Sequence, residues 1–155
     1  MAVLIFEGAD ASGKDILKTT IEKSGDYSHT CVMRFGFSQL VYGAYFKRPI
    51  WTNPKKRLAH VTVVRNLLKA VRPLYVYTYA TPETLRERIL RRGEKPELQP
   101  DSTAIDVLYR QMFELVGING YQLLELDTTG DPDLNELVKS VEVKIQALNR
   151  RSYGK

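Results

Sequence analysis

The stretch Ala2-Val-Leu-Ile-Phe6-Glu7-Gly8-Ala-Asp10-Ala-Ser-Gly13-Lys14-Asp15 decides how the rest of the chain is read. Its first five residues are wholly apolar and stop at Glu7-Gly8. A short continuous apolar run of this kind suits a strand covered on both faces, as in parallel sheets. Gly8 to Lys14 then matches G-x-x-x-x-G-K, set between a strand and a helix. The glycines let successive N–H groups curl round a phosphate, the helix start adds positive potential, and Lys14 reaches the outer phosphates. Gly8, Ala11, Ser12, Gly13 and Lys14 are therefore candidate nucleotide-binding residues. Asp15 stands where the motif has a Ser or Thr whose hydroxyl ligates Mg²⁺. A carboxylate can bind Mg²⁺ more strongly, yet it also brings negative charge to the phosphates. Asp15 is the candidate metal residue; either the metal is held differently from the motif or turnover is impaired.

Outward from this stretch, strand and helix patterns alternate. Strands are expected at Thr30 to Phe35, Leu74 to Tyr79 and Tyr121 to Leu126. Helices are expected from Lys14 to Lys23 with a stop at Ser24-Gly25, and at Ser38 to Phe46, Leu58 to Val71, Thr103 to Val116 and Pro132 to Leu148. Thr81-Pro82-Glu83 opens one more helix, with a cap, a proline at the first position and an acid at the positive dipole end. Pro49 to Pro54 is expected to be a loop. Such alternation predicts an α/β layered fold with a mostly parallel sheet.

The 155 residues predict one domain over residues 1–148 and a frayed tail over 149–155. With 23 Lys and Arg against 18 Asp and Glu, the chain carries a net charge of +5, which suits a phosphate-bearing ligand. No long apolar run is present, and the first residues lack a basic region, so neither a membrane span nor a signal peptide is expected. A single cysteine and two histidines make a disulfide or a usual zinc site unexpected. The expected location is the cytoplasm, that of the host if the protein is phage-encoded.

Phe6-Glu7-Gly8-Ala-Asp10-Ala-Ser-Gly13-Lys14 resembles the opening of thymidylate kinases and related phage deoxynucleoside monophosphate kinases, F-E-G-x-D-G-x-G-K-[ST]. Three more segments are similar to that family in the same order: Arg34 to Gly43, Leu74 to Gly93 with its R-x-x-x-R-G, and Leu124 to Thr129. The resemblance implies a three-layer P-loop kinase fold and transfer of the γ-phosphoryl of ATP, with Mg²⁺, to a deoxynucleoside monophosphate, a pyrimidine such as dTMP. It implies that Lys14 binds donor phosphates and that Asp10 sits beside the acceptor, as positioner or base. Arg34 would grip the acceptor phosphate, with Ser38 and Tyr42 nearby. Arg88 and Arg92 would close over the transferring group from a lid at residues 88–101, and Thr128 would border the adenine.

The chain departs from the family at Asp15 and at Met33, where an acid precedes the arginine. It is also short between the first helix and Arg34, which predicts a reduced sheet of about four strands and a more open acceptor side. Phe35 and Phe37, beside Arg34, are candidates to stack the acceptor base. The shortened acceptor region, the aromatics interleaved with Lys47 and Arg48, and two basic clusters (Lys47, Arg48 and Lys55 to Arg57; Arg86, Arg88, Arg91, Arg92 and Lys95) permit a different acceptor, a hydroxymethylated pyrimidine within DNA, as in phage DNA modification. A third reading is a nucleotide-binding protein that has lost catalysis. A homodimer is left open.

Overall fold

The computed structural model describes residues 2–24 and 29–152. In chain order the elements are β1 (Ala2–Glu7), α1 (Lys14–Lys23), β2 (His29–Met33), α2 (Phe37–Tyr45), α3 (Pro49–Thr52), α4 (Pro54–Ala70), β3 (Leu74–Tyr79), α5 (Pro82–Arg91), α6 (Ser102–Val116), β4 (Leu123–Asp127) and α7 (Leu134–Ser152). A short 3₁₀ turn, Pro96–Leu98, lies between α5 and α6. The four strands form one sheet in the order β2-β1-β3-β4, and every pairing is parallel. The α/β class and the reduced sheet are as the sequence predicts.

Side chains alternate across a strand, so each central strand feeds two cores. Leu4, Phe6, Leu74 and Val76 pack with Leu17 and Ile21 of α1 and Val141 and Ile145 of α7. Ile5, Tyr75 and Tyr77 face the other way, onto α2, α4 and α6. This makes three layers. Helix α5 packs separately, setting Leu85 and Ile89 against Ala11 of the glycine loop.

The differences from the sequence expectations are local. Pro49 to Pro54 is not wholly loop: Pro49–Thr52 forms one helical turn, opened by a proline at a position that needs no N–H. The second strand ends at Met33, because Arg34 turns to φ 49 after donating its N–H to Phe6 O. The closing helix runs on from Leu148 to Ser152. Gly25, read as part of a helix stop, and residues 153–155 of the expected tail lie outside the described residues.

One correction bears on the site. Phe37, expected as a base-stacking ring, is fully buried. Its ring meets Tyr75 at 4.8 Å and Phe113 at 4.9 Å between centroids, both edge to face. As the first residue of α2 it continues that helix's apolar stripe onto the sheet, so it fills core and cannot touch a ligand. We expect Phe37→Leu to lower stability by about 1.5 kcal/mol, from lost edge-to-face contacts and an imperfectly refilled volume. Urea unfolding checks this; an unchanged midpoint contradicts the core role.

Candidate phosphate-loop site

The loop between β1 and α1 is shaped by its glycines. Gly8 has φ 143, and a Cβ there would lie 2.3 Å from Thr78 O, so the loop can pass β3 this closely only without a side chain. Gly13 caps α1 with φ 90, and no side chain caps the helix. The first N–H groups of α1 thus have neither an intrahelical nor a side-chain partner, which is the arrangement that receives an anion. Ser12 and Thr128 hold the loop rather than open onto it. Ser12 Oγ pairs with Thr78 Oγ1 at 2.7 Å, and Thr128 Oγ1 donates to Ser12 O at 2.7 Å; both residues are buried.

Lys14 is 2% exposed, and its Nζ donates to Ala9 O at 2.8 Å. Burial, with Arg34 close by, brings its pKa down to about 8. It therefore keeps its charge at neutral pH, held at a cost that an arriving phosphate relieves. Asp15, with a 61% exposed side chain, lies 3.8 Å from Lys14 Nζ. Mg²⁺ takes one or two carboxylates and fills its remaining positions with phosphate oxygens and water. Asp15 fits that part. Among the described residues no three His, Cys, Asp or Glu side chains gather as a metal cage.

The acceptor-side residues come together at the carboxyl ends of β1 and β2. Arg34 forms an ion pair with Asp10, and its guanidinium lies 5.3 Å from the centroid of the Tyr42 ring. Arg34 Nε is buried and has no hydrogen-bond partner among the described residues. Ser38 is buried and directs its N–H at the Glu7 carboxylate, while Phe35 is 42% exposed and stays eligible as a stacking ring. Gln99, Pro100 and Ser102 line a small crevice of about 20 Å³ together with Asp10 and Tyr42. The Tyr45 hydroxyl, which accepts from Asp101 N at 3.0 Å, fixes this segment.

Arg88 needs a second correction. Its guanidinium donates to Ala11 O at 3.0 Å, Thr128 Oγ1 at 3.0 Å, Gly130 O at 2.8 Å and also Thr128 O. Four protein oxygens hold it as a brace between the glycine loop and the loop after β4. In this structure it does not reach over a transferring group. Arg92, one turn on, is exposed. Both line a cavity of about 360 Å³ with Ala11, Gly13, Thr128 and Pro132, a size that accepts the nucleoside part of a nucleotide.

Two residues of the site escaped the sequence analysis. Glu7 is fully buried, accepting from Tyr109 Oη at 3.0 Å and from Ser38 N at 3.3 Å. Burial raises its pKa to about 7 despite those bonds and the nearby cations. The signal was present in α6, where Ile105, Tyr109, Met112, Phe113 and Val116 form the buried stripe. A hydroxyl in such a stripe needs a polar partner in the core. The folded protein holds a proton on Glu7 that the unfolded chain releases near pH 4.5. Its stability therefore falls as pH rises from about 4.5 to about 7. Glu7→Gln should flatten stability over that window in chemical unfolding; an unaltered slope contradicts the assignment.

No protein-family model matches the chain. The chain is 28% identical over 131 residues to the SPbeta prophage-derived uncharacterized protein YorR of Bacillus subtilis (strain 168), covering 84% of this chain and 73% of that protein. The crystal structure of YorR from Bacillus subtilis in complex with phosphorylated GDP matches with a TM-score of 0.72 at 20% identity, over 96% of this chain and 98% of that one. The three-layer fold is shared with that protein. Among the described residues no helix is long and apolar enough to cross a membrane.

Proposed function

We propose that this protein is a thymidylate kinase-like nucleotide kinase, moving the γ-phosphoryl group of ATP to a nucleoside monophosphate. One observation carries the reading: Lys14 in its glycine loop and the Asp10–Arg34 pair stand at neighbouring carboxyl ends of parallel strands. Ligands of open α/β sheets gather at those ends. The likeness to YorR, whose crystal structure holds phosphorylated GDP, supports a nucleotide as the ligand.

Phosphoryl transfer needs alignment and neutralisation of charge on the transferring oxygens more than covalent chemistry. The free N–H groups at the start of α1 and Lys14 hold the donor phosphates, and the cavity beside Arg88 and Thr128 takes the nucleoside. Arg34 holds the acceptor phosphate, with Arg92 free to approach the transferring group. A monophosphate oxygen is already ionised at neutral pH, so the acceptor needs no base. Asp10, bound to Arg34, then serves to aim that guanidinium. Asp15 would hold Mg²⁺, which when bound neutralises charge shared between donor phosphates.

If Asp15 holds the metal, Asp15→Asn raises the Mg²⁺ concentration for half-maximal turnover on the order of tenfold. An unchanged Mg²⁺ dependence in a coupled assay removes Asp15 from the metal site. Asp15→Thr, which restores the hydroxyl of the motif, should retain more activity than Asp15→Asn.

A second reading is favoured by one surface. Arg48 lies 5.0 Å from the centroid of the exposed Phe46 ring, and Arg57 lies 4.8 Å from that of Trp51. Such cation–aromatic pairs suit a nucleic-acid strand, so a hydroxymethylated pyrimidine in DNA is the alternative acceptor. A neutral hydroxyl must lose a proton on attack, and Asp10 would be the base. Labelled ATP offered with monophosphates, nucleosides and DNA, with and without Mg²⁺, distinguishes the two. A homodimer and a cytoplasmic location accord with either reading.

A further inference from the structure

A second, larger cavity, of about 680 Å³, lies at the far end of the sheet from the glycine loop. It opens beneath the starts of β3 and β4, where the ends of α4, α6 and α7 meet. Arg65, Lys69, Arg72 and Arg151 line it, no acidic residue does among the described residues, and Leu68 and Val116 contribute apolar wall. Among the described residues none of these four cations lies within ion-pair distance of a carboxylate. Cations at helix carboxyl ends complement the helix dipole, which explains a positive charge on each helix separately. It does not explain why four of them, from two helices and the connection after α4, share one concave pocket.

The pocket is also built. Arg65 donates Nε to Val116 O at 3.0 Å and Nη2 to Leu115 O at 2.7 Å, which fixes the guanidinium and leaves further N–H groups unused. Arg151 lies 3.5 Å from the centroid of the Tyr121 ring. The rim turn is held by buried Gln122, whose Nε2 donates to Leu68 O at 2.9 Å and whose Oε1 accepts from Asn119 Nδ2 at 2.7 Å. A fixed guanidinium, two exposed cations and a planar cation–aromatic pair are the parts that recognise a phosphate joined to a flat ring.

We propose that this pocket is a second nucleotide-binding site, separate from the glycine loop. Its phosphates lie among Arg65, Lys69 and Arg72, and its ring lies against the Arg151–Tyr121 pair. The assignment is independent of the kinase reading, because it uses no residue of the loop or the acceptor side.

The test is an NMR titration of the full ¹⁵N-labelled chain with ADP, pyrophosphate and adenosine as probes. The amides of Gly117, Asn119 and Tyr121 should shift and saturate with ADP and with pyrophosphate, but not with adenosine. The combined variant Lys69→Gln, Arg72→Asn and Arg151→Gln should weaken that saturation about tenfold or more, the loss of at least one charged hydrogen bond. Shifts at Gly13 and Lys14 should be unaffected. Asn is chosen because Arg72 has φ 52, which Asn tolerates. Lys69→Gln alone, on an exposed helical position, guards against misfolding of the combined variant and should weaken pyrophosphate measurably. Absence of saturable shifts at those three amides, shifts with adenosine equal to those with ADP, or equal affinity in the variants overturns the proposal.

Discussion

Lys14→Ala should lower phosphoryl transfer by on the order of a thousandfold, the upper range for removing one preorganised charge donor, with the fold retained. Lys14 is the cation enclosed by the loop, and its surroundings hold it there at the expense of its pKa, lowered to about 8. The folded protein does not need this ammonium for its core. Removing it loses one hydrogen bond to Ala9 O and also relieves a buried charge beside Arg34, so unfolding stability should change little. Lys14→Arg should fail as well, because a planar guanidinium does not fit a site shaped for a compact ammonium. Calorimetry with ATP and a coupled assay check both variants. Wild-type affinity and turnover in Lys14→Ala contradict the phosphate-loop assignment.

Arg34→Ala should act on the acceptor. The residue is fixed in three ways: by its N–H on Phe6 O, by the ion pair with Asp10 and by the Tyr42 ring. It keeps a buried Nε with no hydrogen-bond partner among the described residues, a donor available to an incoming anion. If the acceptor is a monophosphate, this variant weakens acceptor binding by roughly 1.5–3 kcal/mol, the range for a hydrogen bond to a charged group. ATP affinity should barely change. Asp10 then has no cation to aim, so Asp10→Asn in the same background should add little. If the acceptor is DNA, many phosphate contacts share the work, and the loss shows instead as a salt slope lower by about one unit. Titrations with monophosphates and with oligonucleotides at two salt concentrations separate these outcomes. An acceptor affinity untouched by Arg34→Ala removes Arg34 from the site.

Much of the architecture was legible because its signals are local. The apolar run of β1, the glycine loop and the β-branched and aromatic run of β3 each carry their own pattern. Thr81 caps α5 by accepting from Thr84 N at 3.4 Å, with Pro82 behind it, as the sequence predicts. The site was legible only as a set of residue types at loop positions. Which way Phe37 points depends on Tyr75 and Phe113, far along the chain, and an aromatic beside an arginine reads the same whether it stacks a base or fills a core. Arg88 looks like a mobile lid cation until the carbonyls of Thr128 and Gly130 arrive from the loop after β4. Glu7 and Tyr109 are 102 positions apart, and only the packing of α6 on β1 makes them partners. Long-range contacts between single polar atoms leave no periodic trace in a sequence.

The most direct test of the central claim is the fate of the γ-phosphoryl group. The protein is incubated with γ-labelled ATP, Mg²⁺ and each of the nucleoside monophosphates in turn, and the products are separated. The label is predicted to appear in a nucleoside diphosphate, with dTMP among the acceptors, and to vanish from that product in Lys14→Ala. ATP that binds but keeps its label with every monophosphate contradicts the claim.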